Sequence, residues 1–286
     1  MSPASVGRDT PRVEVVAAGN EVLLGDVLDT NTHWLCRRVT ALGGAVTRTV
    51  LVRDELDAIA GELRGALQRA PQLVFTVGGL GPTADDMTLA GVALGLGVPL
   101  ERHPQAERLV RAKYAEFADA GLVPFAEMNP SRLKMADLPR GAHPVANPVG
   151  GAPGVVTPVG PTTIVSLPGV PEELVAIVEQ SLGEVFAGIF GSAHYEERVL
   201  VVDLQDESAI AGILADVERA NPAVYVKSRA KRMGPGAALH ITLSVRGDDA
   251  AAVDDLLAPP AAALLERIAA AGFAVREEPR GEGTAP

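Results

Sequence analysis

Two adjacent carboxylates, Asp85 and Asp86, follow a glycine-rich loop at residues 78–83 (GGLGPT), which itself follows an apolar run at residues 73–77. Neighbouring carboxylates repel each other and a bound phosphate unless a cation lies between them. Glycine loops let a ligand approach the main chain, so their N–H groups can bind an anion. We predict a metal-assisted phosphate site, with Asp85 and Asp86 as catalytic residues and metal ligands. The predicted phosphate-binding residues of the loop are Gly78, Gly79, Gly81 and Thr83.

A simpler interpretation of the loop stays open. The glycines can form only a tight turn between a strand and a helix. Either Asp85 or Asp86 alone can be a charge at a helix N-terminus, where it would contribute roughly 0.3 to 1 kcal/mol. Two carboxylates in a row exceed that need, which favours metal ligation or activation of water. The sequence does not separate the roles of the two residues.

The first hundred residues alternate between strand and helix patterns. Short apolar runs predict the strands and apolar residues at helical spacing predict the helices, with Asp54 as the cap of the second helix. This alternation predicts an α/β fold with a mostly parallel sheet covered on both faces, in three layers. Ligands of such sheets bind beyond the carboxyl ends of the strands, where the glycine loop lies. The predicted strands are residues 13–18, 46–52 and 73–77, and the predicted helices are residues 32–42 and 54–68.

Four polar residues after the first strand fall at the same predicted edge. Asn20 and Glu21 can orient the loop or contact substrate. Asp29 and Asn31 can contact a ligand or cap the helix that follows them. Both interpretations stay open for each pair.

Three further groups are candidates for ligand contacts. Asn147 and Gly150 lie in the loop NPVGGAPG at residues 147–154, where the Asn147 amide suits a base, a pterin or a phosphate but also suits an Asx turn. The simplest interpretation of Glu172 and Glu173 is that they are favourable charges at the start of a helix. Lys227 and Arg229, with Lys231 and Arg232, form either an exposed loop or a lid that reaches a phosphate.

The second half of the chain predicts a hairpin and then a separate domain. The hairpin joins residues 155–157 to 162–167, and a helix follows to about residue 189. Beyond residue 195 the order strand, helix, strand, strand, helix and last strand is typical of a smaller ferredoxin-like α+β domain. We expect Pro259-Pro260 to interrupt its second helix. The predicted divisions are a disordered tail at 1–11, domains at 12–190 and 195–276, and a disordered tail at 277–286.

Composition restricts the class of protein. The chain has 286 residues and a formal net charge of -11, which argues against broad nucleic-acid binding because that requires a basic face. A single cysteine, Cys36, excludes an intrachain disulfide and favours the cytoplasm. No apolar run predicts a membrane span or signal peptide. The five histidines lack zinc-ligand spacing, and no nucleophile motif is present.

Four motifs stand in order at consistent spacing. Together they resemble the N-terminal domain of the competence/damage-inducible protein A (CinA) family, within the molybdopterin-binding domain superfamily, and residues 197–246 are similar to the C-terminal part of its shorter members. Gly151 stands where threonine is common in that family. We expect the amidase domain of longer members to be absent. The motifs are GNEVLLGDVLDTN (19–31), TVGGLGPTADDMT (76–88), NPVGGAPG (147–154) and LPGVPEEL (167–174).

The resemblance implies two functions. Some members hydrolyse the pyrophosphate of ADP-ribose, or of a dinucleotide such as FAD, with a divalent metal (Mg, Mn or Co) and potassium. Relatives in molybdenum-cofactor synthesis bind or adenylylate molybdopterin. The resemblance also implies a homo-oligomer, a dimer or trimer, with a small-molecule nucleotide or pterin as its ligand and no nucleic acid or membrane partner. A third hypothesis is that the C-terminal domain is non-catalytic and only assembles the oligomer.

Overall fold

The computed structural model describes residues 10–191, 194–204, 206–230, 238–247 and 249–278. These residues form two compact units. The larger unit contains residues 10–40 and 44–191, and the smaller unit contains residues 41–43 and the described residues from 194 onward. Most of each predicted terminal tail, residues 1–9 and 279–286, lies outside the described residues.

A six-stranded sheet forms the centre of the larger unit, in the order β2-β1-β3-β8-β7-β6. Strands β2, β1, β3 and β8 are parallel to their neighbours, whereas β7 is antiparallel to both β8 and β6. The predicted mostly parallel sheet and the predicted hairpin are confirmed. The strands are β1 (Arg12–Ala18), β2 (Ala45–Val52), β3 (Leu73–Val77), β6 (His143–Val145), β7 (Gly154–Val159) and β8 (Thr162–Leu167), with β4 (Leu100–Arg102) and β5 (Asp137–Pro139) paired separately.

Helices cover both faces of this sheet. Successive side chains of a strand point to opposite faces, and β3 shows the consequence: Val74 packs with Leu63 and Val92 of two helices, while Phe75 contacts Phe186 of another with ring centroids 6.3 Å apart. Apolar side chains on both faces explain why every residue of β3 is buried. The helices are α1 (Asn20–Leu23), α2 (Thr30–Ala41), α3 (Leu56–Arg69), α4 (Thr88–Leu96), α5 (Pro104–Asp119), α6 (Pro130–Lys134), α7 (Pro171–Ser181) and α8 (Gly183–Phe190).

The smaller unit is a four-stranded antiparallel sheet with two α-helices. Its strands lie in the order β10-β11-β9-β12, with each neighbouring pair antiparallel. The chain order and this strand order together are those of the predicted ferredoxin-like fold. The elements are β9 (His194–Val202), α9 (Ala211–Ala220), β10 (Tyr225–Ala230), β11 (Leu239–Gly247), α10 (Ala250–Ala270) and β12 (Val275–Glu277).

The expected interruption at Pro259-Pro260 is wrong, because α10 continues through both prolines. A proline removes the hydrogen bond to the carbonyl four residues earlier. The carbonyls concerned belong to Asp255 and Leu256, which are exposed and so can bind water instead. On the opposite face, apolar residues recur every three or four positions and form a continuous buried stripe that packs the helix against the sheet. The residues of the stripe are Val253, Leu257, Ala261, Leu264 and Ile268.

Candidate functional site

The glycine loop begins where β3 ends, and its first glycine has a structural role. Gly78 has a φ of 94°, and a Cβ added to it would lie 2.2 Å from the carbonyl oxygen of Ala18 in the neighbouring strand. Its N–H group donates to the carbonyl of Leu167 at 3.0 Å. The prediction that this N–H faces a phosphate therefore needs correction, since the protein already uses it. Neither Gly79 nor Gly81 has an N–H bonded to an acceptor among the described residues.

Gly79 joins the loop to the start of α4. Its carbonyl accepts a hydrogen bond from the N–H of Thr88 at 3.1 Å, so the first amide of the helix is satisfied by the loop. The Thr88 hydroxyl is buried and has no hydrogen-bond partner among the described residues. A Cβ added at Gly79, where φ is 62°, would lie 2.5 Å from that hydroxyl. Only glycine leaves the loop this close to the helix.

The two aspartates converge on one hydroxyl group. The Thr83 Oγ lies 2.5 Å from Oδ1 of Asp85 and 2.6 Å from Oδ2 of Asp86, and the Thr83 N–H also donates to Asp86 at 2.8 Å. A hydroxyl has one hydrogen to donate, so it cannot satisfy both carboxylates at once. Thr83 therefore holds the acidic pair together but leaves negative charge that a cation can neutralise. The predicted phosphate contact of Thr83 stays a prediction.

Charges around the pair keep Asp85 ionised. The hydrogen bond from Thr83 lowers the pKa of Asp85, and its own backbone N–H and the positive charge of Lys134 lower it further. The Lys134 ammonium group donates to the carbonyl oxygens of Thr83 and, at 2.5 Å, of Asp86. Lys134 therefore fixes the backbone of the acidic turn from the side of α6.

A third aspartate completes the acidic end of the site, and sequence reasoning missed it. Asp54 follows β2 and was predicted to cap α3, but the residue before α3 is Glu55, which makes no capping bond. Asp54 instead accepts a hydrogen bond from the N–H of Asn20 at 2.8 Å. Its position directly after the second parallel strand was the pattern that could have identified it, since it shares the carboxyl edge of the sheet with Asp85.

The environment of Asp54 is strongly acidic. Burial raises the pKa of Asp54 above its ordinary value, and the negative charges of Glu21, Asp85 and Asp86 raise it further, against the opposing hydrogen bond from Asn20. A half-buried carboxylate among other negative charges is a feature of many functional sites.

These four carboxylates lie on one cavity of about 700 Å³. Its wall also includes Gly78, Gly79 and Gly81 of the loop, so the structure brings together six of the predicted site residues. Among the described residues, no group of three or more His, Cys, Asp or Glu side chains is arranged to hold a metal ion. A cation here would need further oxygen ligands from phosphate or water, which is how Mg²⁺ is usually held. The six are Glu21, Gly78, Gly79, Gly81, Asp85 and Asp86.

Three predicted residues near the first strand do not lie on the cavity wall and make structural contacts instead. Asp29 accepts from the N–H of Thr32 at 2.9 Å and so caps α2. The Asn31 amide donates to the carbonyl of Gly169 at 2.7 Å, which fixes the loop before α7. Asn20 supplies its backbone N–H to Asp54.

Asn147 uses its whole amide within the protein. Its Oδ1 accepts from the N–H groups of Val149 and Gly150, an Asx turn, and its Nδ2 donates to Ala152 and to the Glu173 carboxylate at 2.7 Å each. These contacts favour the turn interpretation over direct contact with a ligand. A Cβ added to Gly150 would overlap the Glu173 carboxylate, so Gly150 makes room for it. Glu173 lines the cavity.

Burial of Glu173 raises its pKa, against the opposing hydrogen bond from Asn147. Since the folded protein then binds the proton more tightly than the unfolded chain, the associated stability is fully present below the unfolded pKa of 4.5 and is lost as pH rises through the folded pKa.

Glu173→Gln keeps an oxygen for Asn147 and removes the charge. Relative to the unmodified protein, we expect the free energy of unfolding of this variant to increase between pH 4.5 and 7, as measured by urea titration. If the two proteins differ in free energy of unfolding by the same amount at pH 4.5 and at pH 7, the prediction is contradicted.

Lys227 and Arg229 lie in the smaller unit, on the edge strand β10, where they pair with Thr242 and His240 of β11. The alternation of a strand places both on the same face. Lys231 and Arg232 lie outside the described residues. The phosphate contact predicted for Lys227 and Arg229 stays a prediction.

A family model described as a probable molybdopterin binding domain matches residues 14–187. The chain belongs to this family. The matched residues of the molybdopterin-binding domain contain β1 from its third residue, all of β2, β3 and β8, and every residue named above on the cavity wall.

Two similar proteins extend the match beyond residue 187. A protein of Pyrobaculum arsenaticum is 40% identical over 240 residues, which cover 83% of this chain and 88% of the relative. A CinA-like protein of Frankia casuarinae is 36% identical over 87% of this chain, which spans 57% of that longer relative. The crystal structure of the protein CinA, of unknown function, from Thermoplasma acidophilum is 36% identical with a TM-score of 0.56, and covers 62% of this chain and 99% of its own. The predicted CinA resemblance is confirmed.

No helix within the described residues is both long enough and apolar enough to span a bilayer. The predicted cytoplasmic location stays a prediction.

Proposed function

We propose that the cavity at the carboxyl edge of the sheet binds molybdopterin or a closely related phosphorylated pterin. The observation that carries the proposal is the match of residues 14–187 to a molybdopterin-binding domain, because those residues contain the whole cavity wall named above. A cavity of about 700 Å³ also lies in the range usual for small-molecule sites.

A divalent cation resolves the electrostatic difficulty of this site. Glu21, Asp54, Asp85 and Asp86 together would repel a phosphate. A cation held by Asp85 and Asp86 would reverse that repulsion, and the phosphate oxygens would complete its coordination. The free N–H groups of Gly79 and Gly81 would then donate to the same phosphate. Mg, Mn or Co suits such hard oxygen ligands; potassium is part of the resemblance alone.

A second candidate function is hydrolysis of a nucleotide pyrophosphate such as ADP-ribose or FAD. The observation that favours it is Asp54, a third aspartate on the same cavity wall, whose carboxylate can accept a proton from water. A bound cation would polarise the pyrophosphate and lower the pKa of the attacking water. Water adds to one phosphorus, the bridging bond breaks, and ADP-ribose yields AMP and ribose 5-phosphate. The family description does not name this reaction.

A thermal-unfolding screen separates the two functions. We expect molybdopterin with Mg²⁺ to raise the melting temperature by several degrees, because a ligand at 100 times its Kd stabilises the folded state by about 2.7 kcal/mol. The same ligand with EDTA is the control. ADP-ribose and FAD are tested in parallel for release of AMP. Stabilisation by molybdopterin without AMP release supports the first function alone; AMP release that requires metal supports the second. No stabilisation and no release would exclude both.

A further inference from the structure

The cavity wall is chemically divided. Glu21, Asp54, Asp85 and Asp86 are acidic, and Glu173 is a fifth carboxylate on the wall. The apolar part of the wall consists of Leu80, Met135 and Ala152, which belong to one buried cluster, together with the aromatic ring of Tyr114, which packs against that cluster. A phosphorylated pterin or nucleotide has the same division, with an anionic phosphate at one end and a flat ring at the other.

Tyr114 is held in place from two sides. The Arg132 guanidinium lies over its ring at 3.9 Å from the centroid, and Arg132 is itself fixed by donating to the carbonyls of Phe125 and Glu127 at 2.7 Å each. Phe117 meets the ring edge-on at 5.6 Å. A side chain fixed before binding loses little entropy when a ligand arrives.

Gly151 provides the room for this ring. A Cβ at residue 151 would lie 3.1 Å from Cε2 of Tyr114 and 3.3 Å from its hydroxyl oxygen, so any larger side chain would press on the ring. The Tyr114 hydroxyl makes no hydrogen bond to the described residues, and it therefore has both its hydrogen and its lone pairs available on the cavity wall.

We propose that Tyr114 binds the ring of the ligand, as the surface against which a flat heteroaromatic group stacks while the phosphate lies at the glycine loop. This assignment rests on the proposed function, because it requires a phosphorylated ligand in the cavity. Stacking on an aromatic side chain tolerates different ring systems, so both a pterin and an adenine fit the assignment. Arg132 is a positioning residue that holds the tyrosine.

Two ligands separate the ring from the phosphate: molybdopterin and inorganic phosphate, each titrated with Mg²⁺ by calorimetry. We expect Tyr114→Ala to weaken molybdopterin binding by roughly 10-fold or more, the scale found when an aromatic platform is removed from a stacked base, and to leave phosphate binding unchanged. Tyr114→Phe keeps the ring and should retain most of the affinity. Tyr225→Ala, which removes an exposed tyrosine of β10, is the matched control.

The outcomes separate this assignment from the function on which it rests. If the unmodified protein binds both ligands and the Tyr114→Ala variant binds them with the same affinities, the assignment of Tyr114 alone is overturned. The same holds if Tyr114→Ala weakens both ligands equally, or if Tyr114→Phe loses as much as the alanine variant. An unmodified protein that binds neither ligand would overturn the proposed function, and this assignment with it.

Discussion

Asp86→Asn is expected to remove cation-dependent ligand binding while leaving the fold intact. Asparagine keeps an oxygen that can accept from the N–H of Thr83, now at 2.8 Å from the carboxylate, but it removes one of the two charges that converge on the Thr83 hydroxyl. Loss of an outer partner of a metal site already costs about 10-fold to 100-fold in affinity, so loss of a direct ligand should cost about 100-fold or more. Calorimetric titration of molybdopterin with Mg²⁺ measures the loss.

Asp119→Asn is the matched control for this change. Asp119 is an exposed aspartate at the end of α5, where removal of a charge should alter neither binding nor unfolding. Should Asp86→Asn bind as tightly as the control, the acidic pair does not hold the cation. A large fall in melting temperature would show instead that Asp86 is required for the fold of the turn.

Gly78→Ala is expected to destabilise the whole larger unit by more than ~3 kcal/mol. Two costs add at this position: a φ of 94° that alanine rarely adopts, and a Cβ that would lie 2.2 Å from the carbonyl oxygen of Ala18. Strained backbone angles alone cost about 1 to 3 kcal/mol. The obstructing atom belongs to the backbone of β1, so the two central strands would have to separate to relieve the contact. Urea unfolding followed by circular dichroism measures the loss.

Gly61→Ala is the opposite case and the control. Gly61 lies within α3, and apart from its chain neighbours and the backbone of its own helix nothing lies within 4 Å of the position where its Cβ would be added. Alanine there should stabilise the protein by up to about 1 kcal/mol, because it restricts the unfolded chain and favours helix. Equal effects of the two substitutions would contradict the close approach of Gly78 to β1.

The alternating strands and helices of the larger unit were predictable from local patterns. The strands β1 and β3 are mostly apolar because both of their faces are covered, and such runs are visible without knowledge of their partners. The ferredoxin-like strand order of the smaller unit followed from the order of its elements. The short strands β4 and β5 were missed, since each has three residues and no periodicity to detect.

The roles of individual site residues were harder to predict, because they depend on partners far away in sequence. The Gly78 N–H is bonded to Leu167, 89 residues further on, and no local pattern indicates such a bond. A carboxylate after a strand looks the same whether it caps the next helix, as Asp29 does, or lines a cavity, as Asp54 does. Only the fold distinguishes them.

In the proposed site, Asp85 and Asp86 together hold a cation that bridges to a phosphate at the glycine loop. The most direct test is a crystal structure with Mn²⁺ and molybdopterin, in which anomalous scattering locates the metal. We expect one metal peak within coordination distance of both carboxylates and of a phosphate oxygen, with that phosphate against the N–H groups of Gly79 and Gly81. A phosphate bound there without metal, or a metal peak away from the pair, would contradict it.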